Sequence, residues 1–296
     1  MDVLKGWVDG APLLVLGVVV LLLLVAGLAV GIWVRRRHDS DDRRAPRDDD
    51  GQEGYVVSAV LGLLALLLGF TFALAVDRFE TRRALVLQEA NAIGTAYLRT
   101  QLLPQPHRER ISALLIDYTA NRVALGESSA AEQPQMLATN NRIVTDLWAA
   151  TAAGFQSVKG LDFSSAYIDS MNTLIDLDTS RKAARTVRVP TEVFIVLVVY
   201  LTVTSGVLGY VFSGPRGRAA AVFMLGLLWM SMLLIVDIDR PTRGGIRESQ
   251  LPMQWTLQTL KTTPPATYDR WLPPESASAA SPGTSPAAAA GTRSAR

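Results

Sequence analysis

The chain has 296 residues, of which 49% are hydrophobic, and its formal net charge is +2. The absence of cysteine excludes disulfides and thiolate metal sites, and only two histidines are present. Because the net charge is small and the basic residues form no stripe, we expect no nucleic-acid partner, and no motif implies a cofactor.

Four uncharged apolar stretches lie in two pairs around a more polar middle region. They cover residues 12–34, 55–76, 193–212 and 219–236, and none contains Asp, Glu, Lys or Arg. Each is long enough for a helix to cross about 30 Å of hydrocarbon. In lipid, a helix satisfies the backbone hydrogen bonds within the segment. The sequence therefore predicts an all-α membrane protein, with four transmembrane helices in two pairs and a helical soluble domain between them.

The predicted elements follow one another without overlap. The first transmembrane helix contains Gly27 and Gly31, whose spacing permits close approach of another helix. The last segment is rich in Pro, Ser, Ala and Thr, which predicts disorder. In chain order we expect the N-terminus with the first transmembrane helix (1–34), a charged solvent-facing loop (35–54), the second transmembrane helix (55–76), the helical soluble domain (77–190), the third (191–213) and fourth (219–236) transmembrane helices, a C-terminal extension (237–272) and a disordered tail (273–296).

Helical signals continue through the soluble middle region. No breaker occurs between residue 55 and Pro104, so residues 55–103 are predicted to form one long helix. A second helix ends at Gly126, and a third covers residues 134–158. Asp162 is placed to cap a fourth helix, which ends before Pro190.

Motifs for catalysis are missing from the sequence. There is no glycine-rich phosphate loop, no HExxH and no Gly-x-Ser-x-Gly, and no nucleophile, base and orienting group can be assembled, so we predict that the protein is not an enzyme. Two Asp-x-Asp pairs are suited either to a divalent cation or to helix capping and ion pairing: Asp176 with Asp178, and Asp237 with Asp239.

The end of the second apolar stretch carries a family resemblance. Leu68-Gly69-Phe70, followed by small and apolar residues and then by Arg78 and Phe79, resembles the second transmembrane helix of bestrophin channels. Residues 55–260 as a whole resemble the bacterial bestrophin-like membrane family. The polar residues that carry this second likeness are Arg78, Glu89, Asn91, Arg99, Asp237, Asp239 and Arg240, together with the segment Ile246-Arg247-Glu248-Ser249-Gln250.

The resemblance implies a pentameric ion channel whose second helices line a central pore, with both chain ends in the cytoplasm. The three apolar rings of the bestrophin neck fall at Gly62, Leu66 and Phe70, which share one helix face. Phe70 matches the family pattern, Leu66 is an apolar substitute, and Gly62 differs because it has no side chain. In the alternative interpretation, Leu66 and Phe70 pack inside an ordinary helical bundle.

Glu89 lies among small and apolar neighbours, where an unpaired carboxylate would be costly. We therefore expect an internal ion pair, with Arg82 or Arg83 as its partner. The alternative is a role for Glu89, Asn91 and Arg99 in ion passage.

Two classes of function follow. The first is a homo-oligomeric ion channel in the bacterial inner membrane, with the lipid bilayer and inorganic ions as its partners. The second is a non-conducting scaffold or signalling protein whose helical domain binds a protein. The distribution of Lys and Arg beside the predicted spans favours both termini and residues 77–190 in the cytoplasm.

Overall fold

The computed structural model describes residues 10–41, 50–129, 131–212, 214–241 and 244–272. These residues form helices and contain no β-strand, which confirms the predicted all-α class. The predicted tail, 273–296, lies outside the described residues. In the described part, the helices are α1 (Leu13–Asp41), α2 (Asp50–Thr100), α3 (His107–Glu127), α4 (Gln133–Val158), α5 (Ser164–Thr186), α6 (Thr191–Val211), α7 (Gly214–Asp239), α8 (Leu251–Thr262) and a 3-10 helix (Pro265–Asp269).

Four segments of this helical structure are long and apolar enough to cross a membrane. They are Leu13–His38, Gly54–Thr100, Ser164–Val211 and Gly214–Asp239. The apolar stretches themselves lie on α1, α2, α6 and α7, so the four predicted spans, arranged in two pairs around a helical region, are confirmed.

The charged loop predicted at residues 35–54 is largely helical where the structure describes it. Helix α1 continues to Asp41 and α2 begins at Asp50, while residues 42–49 lie outside the described residues. Arginine favours helix, so α1 has no reason to end at the membrane boundary. Arg35 also donates from Nη1 to the carbonyl oxygens of Tyr210 and Val211, at 2.6 Å each, and so satisfies the last turn of α6.

The chain forms two compact units. The first contains the described residues up to 87 together with those from 178 to 249. The second contains residues 88–177 and the described residues from 250 onward. Helices α2 and α5 therefore each contribute to both units.

In the first unit, α2, α6 and α7 share an apolar core. Its members include Leu64, Leu68, Leu197, Leu201, Leu208, Leu225 and Ile235. Helices α1 and α6 approach closely at glycines, as the spacing of Gly27 and Gly31 predicts. A Cβ atom at Gly27 would lie 2.6 Å from the carbonyl oxygen of Thr202, and one at Gly31 would overlap the carbonyl oxygen of Gly206. The missing side chains therefore allow the two backbones to touch.

In the second unit, α3 packs against α4 and α8. Its helices bury apolar side chains completely at Ile111, Leu115, Leu147, Met171 and Leu174. The predicted start of the fourth middle helix needs correction. Asp162 does not cap this helix directly. It lies in the turn before α5, which begins at Ser164.

Candidate functional site

The candidate site is the face of α2 that carries Gly62, Leu66 and Phe70, which we call the α2 outer face. Steps of four residues keep the three positions within about 80° around the helix. Leu66 is 54% exposed and Phe70 is 67% exposed. Neither side chain packs in the core of the unit.

The opposite face of α2 fixes this orientation. Leu64, Leu68, Thr71 and Ala75 are buried, and the three apolar side chains belong to the core of the first unit. These positions are separated by three or four residues, so they form one stripe on the helix. Because this stripe is anchored, the positions on the other side of α2 must point away from the core.

Four glycines of α2, namely Gly54, Gly62, Gly69 and Gly94, have open space where a side chain would lie, and two of them are in the membrane segment. A Cβ atom at Gly62 or Gly69 would meet no other atom within 4 Å. Glycine destabilises a helix by about 1 kcal/mol relative to alanine, and no packing contact within the chain explains that cost here. Small residues on exposed positions of a membrane helix permit close approach of another helix.

Beyond Phe70 the α2 outer face changes from apolar to acidic. Ala73, Asp77 and Glu80 continue it, and all three residues are exposed. Asp77 lies about 10 Å along the axis from Phe70. Glu80 lies 3.4 Å from the Nη1 atom of Arg83 in an exposed pair, which contributes less than about 1 kcal/mol to stability.

Arg82 occupies the buried side of α2 in the first unit. Its Nε atom lies 2.5 Å from Oε1 of Glu248, and its Nη2 atom donates to the carbonyl oxygen of Ile238 at 2.9 Å. Both side chains are almost fully buried. Sequence reasoning missed this pair, although one signal was available: Arg82 follows Ala75 by seven residues, on the same buried stripe.

The Asp237, Asp239 and Arg240 motif organises the backbone around the end of α7. Asp237 accepts hydrogen bonds from the backbone N–H groups of Gly245, at 2.6 Å, and Ile246, at 3.1 Å. Asp239 accepts one from the Val189 N–H at 2.9 Å, and Arg240 donates to the Ala11 carbonyl oxygen at 2.7 Å. These contacts hold the backbone in place around the end of α7. Both carboxylates accept hydrogen bonds from backbone N–H groups.

The two aspartates of the other Asp-x-Asp pair lie in different environments. Asp178 is buried and its Oδ2 atom lies 2.5 Å from Nζ of Lys182, whereas Asp176 is exposed. Over the ranges that the structure describes, no three His, Cys, Asp or Glu side chains are grouped so that they could hold a metal ion.

In the second unit, Glu89 is the acceptor of a buried polar cluster. It is fully buried, its Oε1 atom lies 2.8 Å from Nε of Arg122, and its Oε2 atom accepts from Nη2 of Arg122 at 3.0 Å. The hydroxyl of Tyr118 donates to it as well. The expected ion pair of Glu89 is present, but the predicted partners Arg82 and Arg83 are wrong. They lie about 9 to 10.5 Å away along the helix axis, whereas α3 brings Arg122 alongside.

The remaining motif residues have separate surroundings. Arg99 donates to the Ala166 carbonyl oxygen in the second unit, and Asn91 is exposed there. Arg78 is half-buried, and its Nε atom has no hydrogen-bond partner among the described residues. Of the seven polar motif residues, the structure brings together only Asp237, Asp239 and Arg240, around the end of α7.

These features define an all-helical membrane protein whose α2 outer face is apolar and exposed over Leu66 and Phe70. The chain belongs to the bestrophin-like family, because the model of the bestrophin-like domain matches residues 22–253. The match includes most of α1, which the resemblance seen in the sequence did not cover. No curated protein matches the chain.

Solved structures of a bestrophin homolog from Klebsiella pneumoniae have a similar fold. One point variant has 18% sequence identity and a TM-score of 0.58, over 85% of this chain and 96% of that chain. A second variant has 17% identity and a TM-score of 0.61, over 83% and 96%. A further structure of the homolog has 17% identity and a TM-score of 0.58, over 81% and 95%. The chain therefore has the bestrophin fold.

Proposed function

We propose that the protein is a homo-oligomeric ion channel in which the α2 outer face lines a central pore. The observation that carries this proposal is the exposure of Leu66 and Phe70 on a helix whose opposite face is anchored in the core. On this proposal the protein conducts ions and is not an enzyme.

The neck would consist of two apolar rings. Leu66 and Phe70 are one turn apart, or about 6 Å along the helix axis. An apolar constriction impedes ions because water withdraws from it. Gly62 contributes no side chain, so we expect a shorter constriction than three bulky rings would make.

The exposed glycines support an assembly of identical chains. Gly62 and Gly69 have open space beside them within one chain, and a neighbouring helix would use it. Exposed apolar residues such as Leu66 and Phe70 mark a surface that contacts either lipid or another chain, and the glycines beside them favour another chain. By family resemblance we propose a pentamer, with the lipid bilayer around it and inorganic ions passing through it.

The experiment that tests the assembly is single-particle imaging of the full chain in detergent. We expect a closed ring of subunits in which Gly62, Leu66 and Phe70 face an axial opening. A monomer or dimer, or a ring whose α2 outer face contacts lipid, would instead support a non-conducting scaffold or signalling protein.

We further propose that the protein lies in the bacterial inner membrane with its termini and residues 77–190 in the cytoplasm. Ala131 is exposed in the second unit, and Arg216 is exposed at the start of α7. Because the chain has no cysteine, Ala131→Cys and Arg216→Cys can be labelled individually. In intact cells an impermeant maleimide should label only the position 216 variant, and labelling at position 131 would reverse the orientation.

A further inference from the structure

A cavity of about 240 Å³ opens among α1, α6 and α7 in the first unit. Its walls are apolar and include Leu16, Leu23, Phe194, Val199 and Met232. Its lining also contains charged residues, namely Arg188, Asp239 and Arg240. Arg188 and Val189 precede α6, and Asp239 ends α7, so the charges lie at one end of an otherwise apolar cavity.

The length of the cavity corresponds to one leaflet of a bilayer. Along α6 it extends from Thr191 to Val199, which is a rise of about 12 Å. The hydrocarbon of one leaflet is about 15 Å thick, half of the 30 Å core. An acyl chain that enters beside the charged end therefore has apolar walls along most of its depth.

The charged end is suited to an anionic headgroup. Arg188 is half-buried and also interacts within the chain. Asp239 is bonded to the N–H group of Val189, and Arg240 to the carbonyl oxygen of Ala11. Two guanidinium groups and one carboxylate leave a formal charge of +1. Guanidinium binds phosphate oxygens through paired hydrogen bonds, and these are stronger than bonds between neutral groups.

We propose that this cavity binds one acyl chain of an anionic glycerophospholipid, with the lipid phosphate at the guanidinium of Arg188. The site is separate from the α2 outer face, so it does not depend on whether the protein conducts ions.

Native mass spectrometry of the full-length protein tests the headgroup. The protein is incubated with equal amounts of phosphatidylglycerol and phosphatidylcholine that carry the same acyl chains. We expect the wild type to retain phosphatidylglycerol about tenfold better, which is the order of one charge-assisted contact. Arg188→Gln should abolish the preference. Arg218→Gln is the matched control, because Arg218 is exposed at the opposite end of α7, and it should leave the preference unchanged.

A second pair of variants tests the apolar walls. Val199 lines the cavity and is 55% exposed, so Val199→Trp should fill the space without disturbing the core and should lower the retention of both lipids several-fold. Val196→Trp is the control, because Val196 is 47% exposed and does not line the cavity. Equal retention of the two lipids by the wild type, or an unchanged preference in Arg188→Gln, would overturn the proposal. The proposal would also be overturned if the Val199→Trp protein formed a smaller oligomer than the wild type but retained as much lipid. That result would mean that a second copy of the chain, and not a lipid, covers the cavity.

Discussion

Replacing Glu89 with glutamine is expected to lower the free energy of unfolding by about 3 to 5 kcal/mol. The Glu89 carboxylate is fully buried and meets Arg122 through two nitrogen atoms, at 2.8 and 3.0 Å. Glutamine is nearly isosteric, so it leaves the packing intact but leaves the buried guanidinium without an opposite charge. Thermal and denaturant unfolding of the detergent-solubilised protein would measure the loss.

A matched control separates burial from charge. Glu80→Gln removes the same charge from an exposed pair with Arg83 and should cost less than about 1 kcal/mol. The double variant Glu89→Leu/Arg122→Met should be more stable than Glu89→Gln, because no unpaired charge then remains in the interior. Equal stability of Glu89→Gln and Glu80→Gln would mean that the buried cluster is not essential to the second unit.

Replacing Phe70 with alanine is expected to increase ion flux while leaving the melting temperature nearly unchanged. The side chain is 67% exposed, so its removal opens no cavity in the core of the chain. In the proposed neck, the same truncation widens the constriction and lets water enter. A buried phenylalanine would behave differently, since its truncation costs about 3 to 5 kcal/mol. Flux into liposomes and thermal unfolding should be measured on the same preparation.

Phe72 provides the control for this variant. It is 41% exposed, and it lies about 200° away from Phe70 around α2. Phe72→Ala should therefore leave the flux at the wild-type value. A destabilised Phe70→Ala protein with unchanged flux would contradict the proposed neck.

The membrane helices could be predicted from the sequence because hydropathy depends on local composition. The uncharged runs place spans on α1, α2, α6 and α7, and the absence of a breaker before Pro104 explains the length of α2. The true end of α1 was missed because arginines that leave the bilayer can remain helical.

The partners of the buried charges could not be predicted in this way. Arg82 and Glu248 are 166 residues apart, and Arg122 follows Glu89 by 33 residues. Such pairs form only after helices pack, so local spacing says nothing about them. The buried stripe through Ala75 predicts that Arg82 points inward, but it does not identify Glu248.

The sequence predicts which residues share the candidate face of α2, but it does not predict the direction in which that face points. Spacing places Gly62, Leu66 and Phe70 on one face of α2, yet both faces of this helix are apolar in the membrane segment. The direction of the face follows from the packing of Leu64 and Leu68, which the structure supplies.

The most direct test of a pore at this face is the flux of Phe70→Cys before and after modification with a small cationic methanethiosulfonate. The wild-type chain contains no cysteine, so position 70 would carry the one reactive thiol. We expect modification to reduce the flux strongly, whereas Phe72→Cys, with its thiol toward another side of α2, should keep its flux. An unchanged flux through fully modified Phe70→Cys protein would show that the α2 outer face does not line the ion path.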